Sequence, residues 1–169
     1  EYTPLHTDPV AGWAEFDFVI HGDGPGSAWA AQAPVGAAVA VAGPRRSNAI
    51  AGEPDAFFLA GDETAVPAIT RFLRSRLPGT PARVVIEVAA NELVPVPVDD
   101  NVELTVLVRP GQTLAGTLAA LSASDRPDGA VLAFVAAEAG IVPIARDLLL
   151  DRWGLPSEAV ITKGYWRRD

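Results

Sequence analysis

The chain has 169 residues, 49% of them hydrophobic, and a formal net charge of −8, so it is long enough to bury a core as one domain or as one and a part. The acidic balance excludes broad electrostatic binding to nucleic acid or to an anionic membrane surface, because such binding needs clustered cations that neutralise phosphates. The absence of cysteine excludes disulfides and thiolate chemistry, and two histidines, His6 and His21, are too few for a histidine-rich metal site.

No stretch reaches the roughly 18 apolar residues, free of charges and helix breakers, that a membrane-spanning helix needs. No basic and then apolar leader opens the chain. We therefore expect no stable membrane insertion and a cytoplasmic location. The sequence also contains no methionine, which predicts that Glu1 is a trimmed, cleaved or incompletely recorded start.

The first 55 residues predict a few short elements. Residues 15–20 (EFDFVI) alternate as an antiparallel strand does, residues 27–33 predict a short helix, and residues 37–42 predict another strand. These pieces are typical of a β-barrel. Because two or three strands cannot close a barrel, they would form only a part of it. Residues 43–55, with two prolines and two glycines, predict a linker.

From residue 56 onward the sequence alternates short β-branched or aromatic apolar runs with helical stretches. The predicted strands are residues 56–60, 83–88, 103–108, 131–135 and 159–162, and the predicted helices are residues 64–77, 112–122 and 139–153. Strands that alternate with helices imply crossover connections and a parallel sheet, and their near-continuous apolar content favours burial of both faces. The predicted fold class is therefore α/β, with a five-stranded parallel sheet.

The turn Gly61-Asp62-Glu63-Thr64, after the first of these strands, has two interpretations. A turn at the carboxyl end of a parallel strand, followed by a helix N-terminus, is a good place for a nucleotide. However, the two carboxylates favour the helix dipole themselves, and Asp62 or Thr64 would serve simply as a helix cap.

Two further turns have similar alternatives. The glycine-rich segment 21–29 (HGDGPGSAW) precedes a short helix, so it favours either an anion held by backbone amides or a plain loop with a serine cap. The segment 136–140 (AAEAG) follows the fourth strand and shares the sheet edge of Gly61. There, Glu138 is either part of a ligand site or an ordinary acid in the first turn of a helix.

The last seven residues, KGYWRRD, combine three cations with two aromatic rings. Such a segment suits an anionic, planar ligand, through charge-assisted hydrogen bonds and stacking. The alternative is an aromatic anchor with solvated arginines. The serine-hydrolase, P-loop and metal-site motifs are all absent, so no metal site and no acid or base catalyst is predicted.

Taken in order, these segments resemble the siderophore-interacting protein family, flavin-dependent ferric-siderophore reductases related to the ferredoxin reductases. The matching strings are YTP at 2–4, DFVIHGDGPGSAWA at 17–30, AGPR at 42–45, LAGDETAVPAI at 59–69, AEAG at 137–140 and GYWRR at 164–168. The resemblance implies the C-terminal part of an FAD-binding β-barrel at residues 1–45, a linker at 46–55 and an NAD(P)H-binding α/β domain at 56–169. The N-terminal part of the barrel is expected to lie outside the chain.

The resemblance also implies site residues. The flavin would contact Tyr2, Thr3, His21, Gly24, Pro25, Gly26, Ser27 and Trp166, and the nucleotide, NADPH or NADH, would contact Gly61, Asp62, Glu63, Thr64, Glu138, Ala139 and Tyr165. We expect the cations Lys163, Arg167 and Arg168 to attract either a ferric siderophore, which is the small-molecule substrate, or a nucleotide phosphate.

The implied function is NAD(P)H-dependent, FAD-mediated reduction of ferric siderophores, which releases Fe(II) because Fe(II) is a poorer match than Fe(III) for hard oxygen ligands. The alternative is a redox-inactive domain of the same fold that binds a nucleotide or a partner. Two departures from the family pattern motivate this alternative: the expected Arg two positions before Tyr2 lies outside the chain, and Ala137 replaces the usual glycine.

Overall fold

The chain combines a small antiparallel hairpin with a five-stranded parallel sheet. A computed structural model describes residues 2–20, 24–43, 52–90 and 96–167. Over these ranges the strands are β1 (His6–Asp8), β2 (Trp13–Glu15), β3 (Ala56–Asp62), β4 (Ala82–Val88), β5 (Val102–Val108), β6 (Val131–Glu138) and β7 (Val160–Trp166). The α-helices are α1 (Pro25–Gln32), α2 (Val66–Ser75), α3 (Leu114–Ala120) and α4 (Ile141–Arg146).

The parallel strands run in the order β5-β4-β3-β6-β7, so β3 is central. All seven residues of β3 are buried. Phe57 and Leu59 pack on one side with α2, whereas Phe58 and Ala60 pack on the other with α3 and α4. Successive side chains of a strand point to opposite faces, so this apolar run requires cover on both sides. The α/β class and the five-stranded parallel sheet are confirmed.

Helix α2 covers the β3–β4 side of one face. Its buried residues include Val66, Ile69 and Leu73, and its arginines Arg71 and Arg74 are exposed. The helix is shorter than the predicted 64–77, because residues 63–65 form a tight 3-10 turn and the backbone turns extended at Arg76. Within the described ranges, no helix has both the length and the apolar character needed to cross a membrane.

The other helices also differ from prediction at their ends. Helix α3 begins after Thr113, whose side chain accepts a hydrogen bond from the Gly116 amide at 3.1 Å, so it is shorter than the predicted 112–122. The predicted helix 139–153 is α4 continued by a π-helical turn, Asp147–Arg152. That turn leads into Trp153, whose ring packs edge-on against Phe58 at 4.8 Å between centroids.

Two predicted strands in the first 55 residues are wrong. The strand is Trp13–Glu15, paired antiparallel with His6–Asp8, and residues 16–20 follow it without a ladder. Residues 37–42 form no strand, and their side chains Val39 and Val41 are exposed. A strand needs a neighbour for its backbone hydrogen bonds, and no described segment pairs with either stretch.

The end of the chain differs as well. The predicted last strand, 159–162, extends to Trp166, so Lys163, Gly164 and Tyr165 are strand residues rather than a tail that follows the sheet. The ladder with β6 shifts register between Ala137 and Glu138, where the partner changes from Gly164 to Trp166. Tyr165 and Trp166 therefore lie at the irregular end of β7.

Candidate functional site

A large cleft of about 2240 Å³ lies between the N-terminal segments and the sheet face that carries α2. The first group of lining residues includes Tyr2, Thr3, Gly26 and Trp29, and the second includes Phe57, Arg71, Phe72, Phe134, Lys163 and Tyr165. Apolar and aromatic walls with a few cations are typical of a site for an anionic, partly aromatic ligand. The cleft thus brings predicted flavin residues together with predicted substrate and nucleotide residues.

Tyr2 is part of an aromatic cluster at this cleft. Its ring lies 4.6 Å from that of Phe18, which in turn lies 5.8 Å from Trp29, between centroids. Tyr2 remains 52% exposed and Trp29 40% exposed. A Cβ on Gly26 would lie 1.9 Å from the Tyr2 hydroxyl oxygen, so only glycine permits this close approach. Two rings therefore present open faces beside the start of α1.

Helix α1 begins at a glycine followed by a proline. Gly24 is its N-cap and Pro25 its first residue, so the N-cap residue itself offers no side-chain acceptor to the helix amides. Ser27 is buried and its hydroxyl donates to the Val19 carbonyl at 3.4 Å. The positive end of a helix dipole favours an anion, so the residues present fit the pyrophosphate of a dinucleotide. Predicted His21 lies outside the described residues.

The turns after β3 and β6 share one edge of the sheet. Gly61 is paired with Ala136 in the parallel ladder, so Gly61–Thr64 and Glu138–Ala139 lie side by side at the carboxyl ends, as the sequence predicts. A Cβ on Gly61 would lie 2.4 Å from that of Ala65 and 2.5 Å from the Ala136 carbonyl oxygen. Gly61 is therefore required by internal packing, whether or not a nucleotide approaches it.

Asp62 joins this edge to β7. Its side chain is buried, at 4% exposure, and accepts hydrogen bonds from the Thr64 amide at 3.0 Å and from the Trp166 indole nitrogen at 2.7 Å. Burial raises the pKa of the Asp62 carboxyl above its ordinary value, although the hydrogen bonds from Thr64 and Trp166 oppose the rise. Asp62 is thus a cap of its own turn and an anchor for Trp166.

Glu138 and Ala139 are similarly engaged. The Glu138 carboxylate accepts a hydrogen bond from the Gly140 amide at 2.8 Å, and the Ala139 amide donates to the Trp166 carbonyl at 2.8 Å. A Cβ on Gly164 would lie 2.8 Å from the Ala139 Cα. Several amides at this edge are therefore already bound to the chain's own oxygens, and the end of β7 is fixed against the turn.

A charged cluster that the sequence did not predict lies at the same edge. Arg109 forms ion pairs with Glu63 and with Glu87, the latter at 3.2 Å, and Glu87 also accepts a hydrogen bond from the Leu114 amide at 2.5 Å. Glu87 lies near the carboxyl end of β4 and Arg109 follows β5. Because parallel strands end at a common edge, the topology brings these residues near one another, but the sequence does not show that their side chains pair.

The two described cations of the predicted substrate site, Lys163 and Arg167, have different surroundings. Lys163 lines the cleft together with Tyr165, while Trp166 turns to Asp62. Arg167 is exposed beyond β7, and Arg168 lies outside the described residues. Arg71 and Phe72 of α2 also line the cleft. Sequence reasoning missed them because an amphipathic helix explains both residues.

Comparison with known proteins gives matches at both ends of the chain. Residues 54–169 match the siderophore-interacting protein family, and residues 1–48 match the siderophore-interacting FAD-binding domain. Ferric vibriobactin reductase ViuB of Vibrio cholerae serotype O1 is 30% identical over 159 residues, which cover 91% of this chain and 59% of that protein. The chain therefore spans about three fifths of the length of this relative.

Solved structures are similar as well. A siderophore utilization protein from T. fusca superposes with a TM-score of 0.85 at 33% identity, over 99% of this chain and 65% of the other. The siderophore-interacting protein of Acinetobacter baumannii superposes with a TM-score of 0.74 at 24% identity, over 98% of this chain and 68% of the other, which is evidence for the fold alone.

Proposed function

The chain belongs to the siderophore-interacting protein family, and from that premise we propose that it is part of a cytoplasmic NAD(P)H-dependent, FAD-mediated ferric-siderophore reductase. The observation that carries the proposal is the cleft, which is lined by partly exposed aromatic rings, by the first residues of α1 and by a cation of β7. We keep the division into a barrel part at 1–45, a linker at 46–55 and an α/β domain at 56–169 as part of this proposal. The match to the FAD-binding domain ends at residue 48 and the match to the siderophore-interacting family begins at residue 54. The gap between the two matches supports this division.

The flavin would be held at the N-terminal side of the cleft. Tyr2, with Thr3 beside it, offers a ring face, and the amides at Gly26 and Ser27 lie at the positive end of α1. When bound, the flavin supplies the redox chemistry, by accepting a hydride from a nicotinamide nucleotide and passing single electrons to ferric iron. The residues of the chain would orient the flavin and donate hydrogen bonds to its phosphates.

The nicotinamide nucleotide would lie at the carboxyl ends of β3 and β6. This is the point where the strand order changes direction, β4 lying on one side of β3 and β6 on the other, and ligands of open parallel sheets gather there. The acids at this edge, Asp62, Glu63 and Glu138, already have partners within the chain. A carboxylate oxygen with a remaining lone pair would accept from a ribose hydroxyl rather than hold a phosphate.

The ferric siderophore would enter the cleft beside Lys163. Lys163 and Arg71 line the same space as Tyr165 and Phe72, and the Arg71 guanidinium donates a hydrogen bond to the Pro4 carbonyl at 3.5 Å. Iron chelates with anionic oxygen ligands are attracted by such cations, and aromatic rings offer contact area to catechol or acyl groups. Arg167, exposed at the end of β7, would add to the positive field.

FAD binding by this chain tests the proposal. We expect FAD fluorescence to be quenched on titration with the protein, and Tyr2→Ala to raise the FAD Kd by about tenfold, the loss of one stacking contact of about 1.4 kcal/mol. Tyr2→Phe is the matched control, because it keeps the ring and removes only the hydroxyl. An unchanged Kd in Tyr2→Ala would contradict the assignment of the flavin to this cleft.

The same titration addresses the alternative. Protein that binds no FAD but gains thermal stability with a nicotinamide nucleotide would favour a redox-inactive nucleotide-binding module. The amides of Thr64 and Gly140 already donate to carboxylates of the chain, so nucleotide binding at this edge would rest on other groups.

A further inference from the structure

Two arginines of α2 hold the N-terminal segment by its backbone. Arg74 donates a hydrogen bond to the Leu5 carbonyl at 3.2 Å, and Arg71 donates a longer one to the Pro4 carbonyl at 3.5 Å. The partners are 69 and 67 positions apart in the sequence. Because the two arginines are three positions apart on a helix, they lie on the same face of α2 and reach consecutive peptide groups.

Neither contact depends on an ion pair. Both arginines are exposed, and neither forms a salt bridge with a described carboxylate. An exposed arginine is ordinarily solvated, and holding it in one place costs side-chain entropy. The guanidinium offers several N–H donors on a long side chain, which suits it to a backbone carbonyl on another element. The two arginines therefore form a specific link between α2 and the segment at residues 2–5.

Leu5 is held from both sides. Its amide donates to the Glu15 carbonyl at 2.8 Å, at the open end of the β1–β2 hairpin, while its carbonyl accepts from Arg74. The hairpin pairs with no other strand in the described part of the chain. The bond from Arg74 thus fastens the base of this hairpin to the α/β domain.

The segment that is held in this way leads directly into the cleft. Tyr2, Thr3 and Pro4 line the cleft on its N-terminal wall, and Tyr165 lines it on the wall formed by the α/β domain. Arg74 is not among the described residues that line it. Any effect of Arg74 on a bound ligand is therefore indirect, through the position of the N-terminal wall.

Resting on the flavin and nucleotide sites proposed above, we propose that Arg74, supported by Arg71, is a positioning residue that fixes the spacing between the two walls of the cleft. Transfer of a hydride requires the reacting atoms to approach to about 3–3.5 Å, and a misplacement of about 1 Å costs about a hundredfold in rate. Arg74 therefore acts on the rate of flavin reduction rather than on the affinity for FAD or for the nucleotide.

Hydrogen exchange of the whole chain without ligands tests the link itself. Arg74→Ala removes the donor and keeps a good helix former, so the amides of residues 5–15 should exchange at least about threefold faster. Exchange in the buried strand β3 should not change. Arg74→Lys keeps a charged donor and should restore most of the protection. Exchange in Arg74→Ala equal to that of the control below would overturn the link.

Arg146→Ala is the matched control. Arg146 is also exposed and also lies in the last turn of its helix, α4, which packs on the opposite face of the sheet. Its replacement removes the same charge and the same favourable interaction with the helix dipole. It should leave the exchange of residues 5–15 unchanged.

Stopped-flow reduction of the FAD-loaded chain by NADH tests the positioning role. At saturating NADH, Arg74→Ala should lower the rate about tenfold, with the FAD Kd and the half-saturating NADH concentration within about twofold of the unaltered chain. Arg74→Lys should recover most of the rate. Faster exchange with an unchanged rate of flavin reduction would overturn the positioning role. Failure of the unaltered chain to bind FAD would remove the flavin part of the proposed function and the positioning role with it, and the exchange result would still decide the link.

Discussion

The hydrogen bond from Trp166 to Asp62 predicts a measurable energetic coupling across the carboxyl edge of the sheet. It joins the last described strand to the turn after the central strand, 104 positions earlier in the sequence, at 2.7 Å. A hydrogen bond to a charged acceptor contributes about 1.5–3 kcal/mol. Trp166→Phe keeps an aromatic ring and removes the donor, so we expect it to lower the free energy of unfolding by about 2 kcal/mol.

In a chain of this length, about 2 kcal/mol corresponds to a fall in Tm of about 4–8 °C. Urea unfolding followed by far-ultraviolet circular dichroism is the suitable assay, because removing a tryptophan alters the fluorescence signal. Trp13→Phe is the matched control. Trp13 is 52% exposed on the β1–β2 hairpin, and its replacement should change stability by less than about 0.5 kcal/mol.

The single variant at Asp62 is harder to interpret, because removing a buried carboxylate also removes its desolvation cost. A double-mutant cycle with Asp62→Ala and Trp166→Phe isolates the interaction itself. We expect a coupling energy of at least about 1 kcal/mol. A value below about 0.3 kcal/mol would refute the view that this hydrogen bond fixes the end of β7, and with it the orientation of Tyr165 into the cleft.

The remaining predictions concern the same edge and the adjoining helix. Gly164→Ala would place a Cβ 2.8 Å from the Ala139 Cα, so it should cost about 1–3 kcal/mol in urea unfolding. Thr113→Ala removes the cap of α3, whose side chain accepts from Gly116, and should cost about 1 kcal/mol. Burial raises the pKa of the Asp62 carboxyl, so the folded protein binds this proton more tightly than the unfolded chain does. The contribution of this proton to the free energy of unfolding is therefore lost as the pH rises from about 3.9, the unfolded pKa, through the folded pKa. Asp62→Asn should therefore cost more stability at pH 4 than at pH 7; equal costs would contradict the shift.

The α/β part of the fold was predictable because the apolar runs of its strands are visible in the local sequence. The run at 56–60 is apolar at every position, which only a strand buried on both faces tolerates, and turns separate it from an amphipathic helix. The strand bounds were less predictable. Residues 163–166 continue β7 because a backbone neighbour, β6, is available to them, and neighbours are not visible in a local pattern.

The N-terminal part was less predictable for the same physical reason. Residues 15–20 alternate as a strand does, but alternation alone does not supply a partner, and Phe18 instead packs between Tyr2 and Trp29. The candidate site shows a similar limit. The shared edge of Gly61 and Ala136 follows from parallel topology, whereas the pairing of Arg109 with Glu63 and Glu87 depends on side chains from three strand ends.

Tyr165 and Trp166 differ in the direction of their side chains, which the sequence does not show. The resemblance assigns Tyr165 to the nucleotide and Trp166 to the flavin, whereas in the structure Tyr165 lines the cleft and Trp166 is bonded to Asp62. The two rings point in different directions because adjacent side chains of a strand lie on opposite faces. We therefore propose Tyr165, together with Tyr2, as the ring nearest to the bound ligands, and Trp166 as the residue that positions it.

Formation of Fe(II) is the most direct test of the central proposal. The chain, loaded with FAD and mixed anaerobically with NADH and a ferric trishydroxamate or triscatecholate chelate, is assayed with a ferrous-specific chromogenic chelator. The account predicts Fe(II) formation faster than with free FAD at the same concentration, and a kcat/KM lowered about tenfold by Lys163→Ala, the loss of about 1.4 kcal/mol of charge attraction. FAD-loaded protein that yields Fe(II) no faster than free FAD would contradict it.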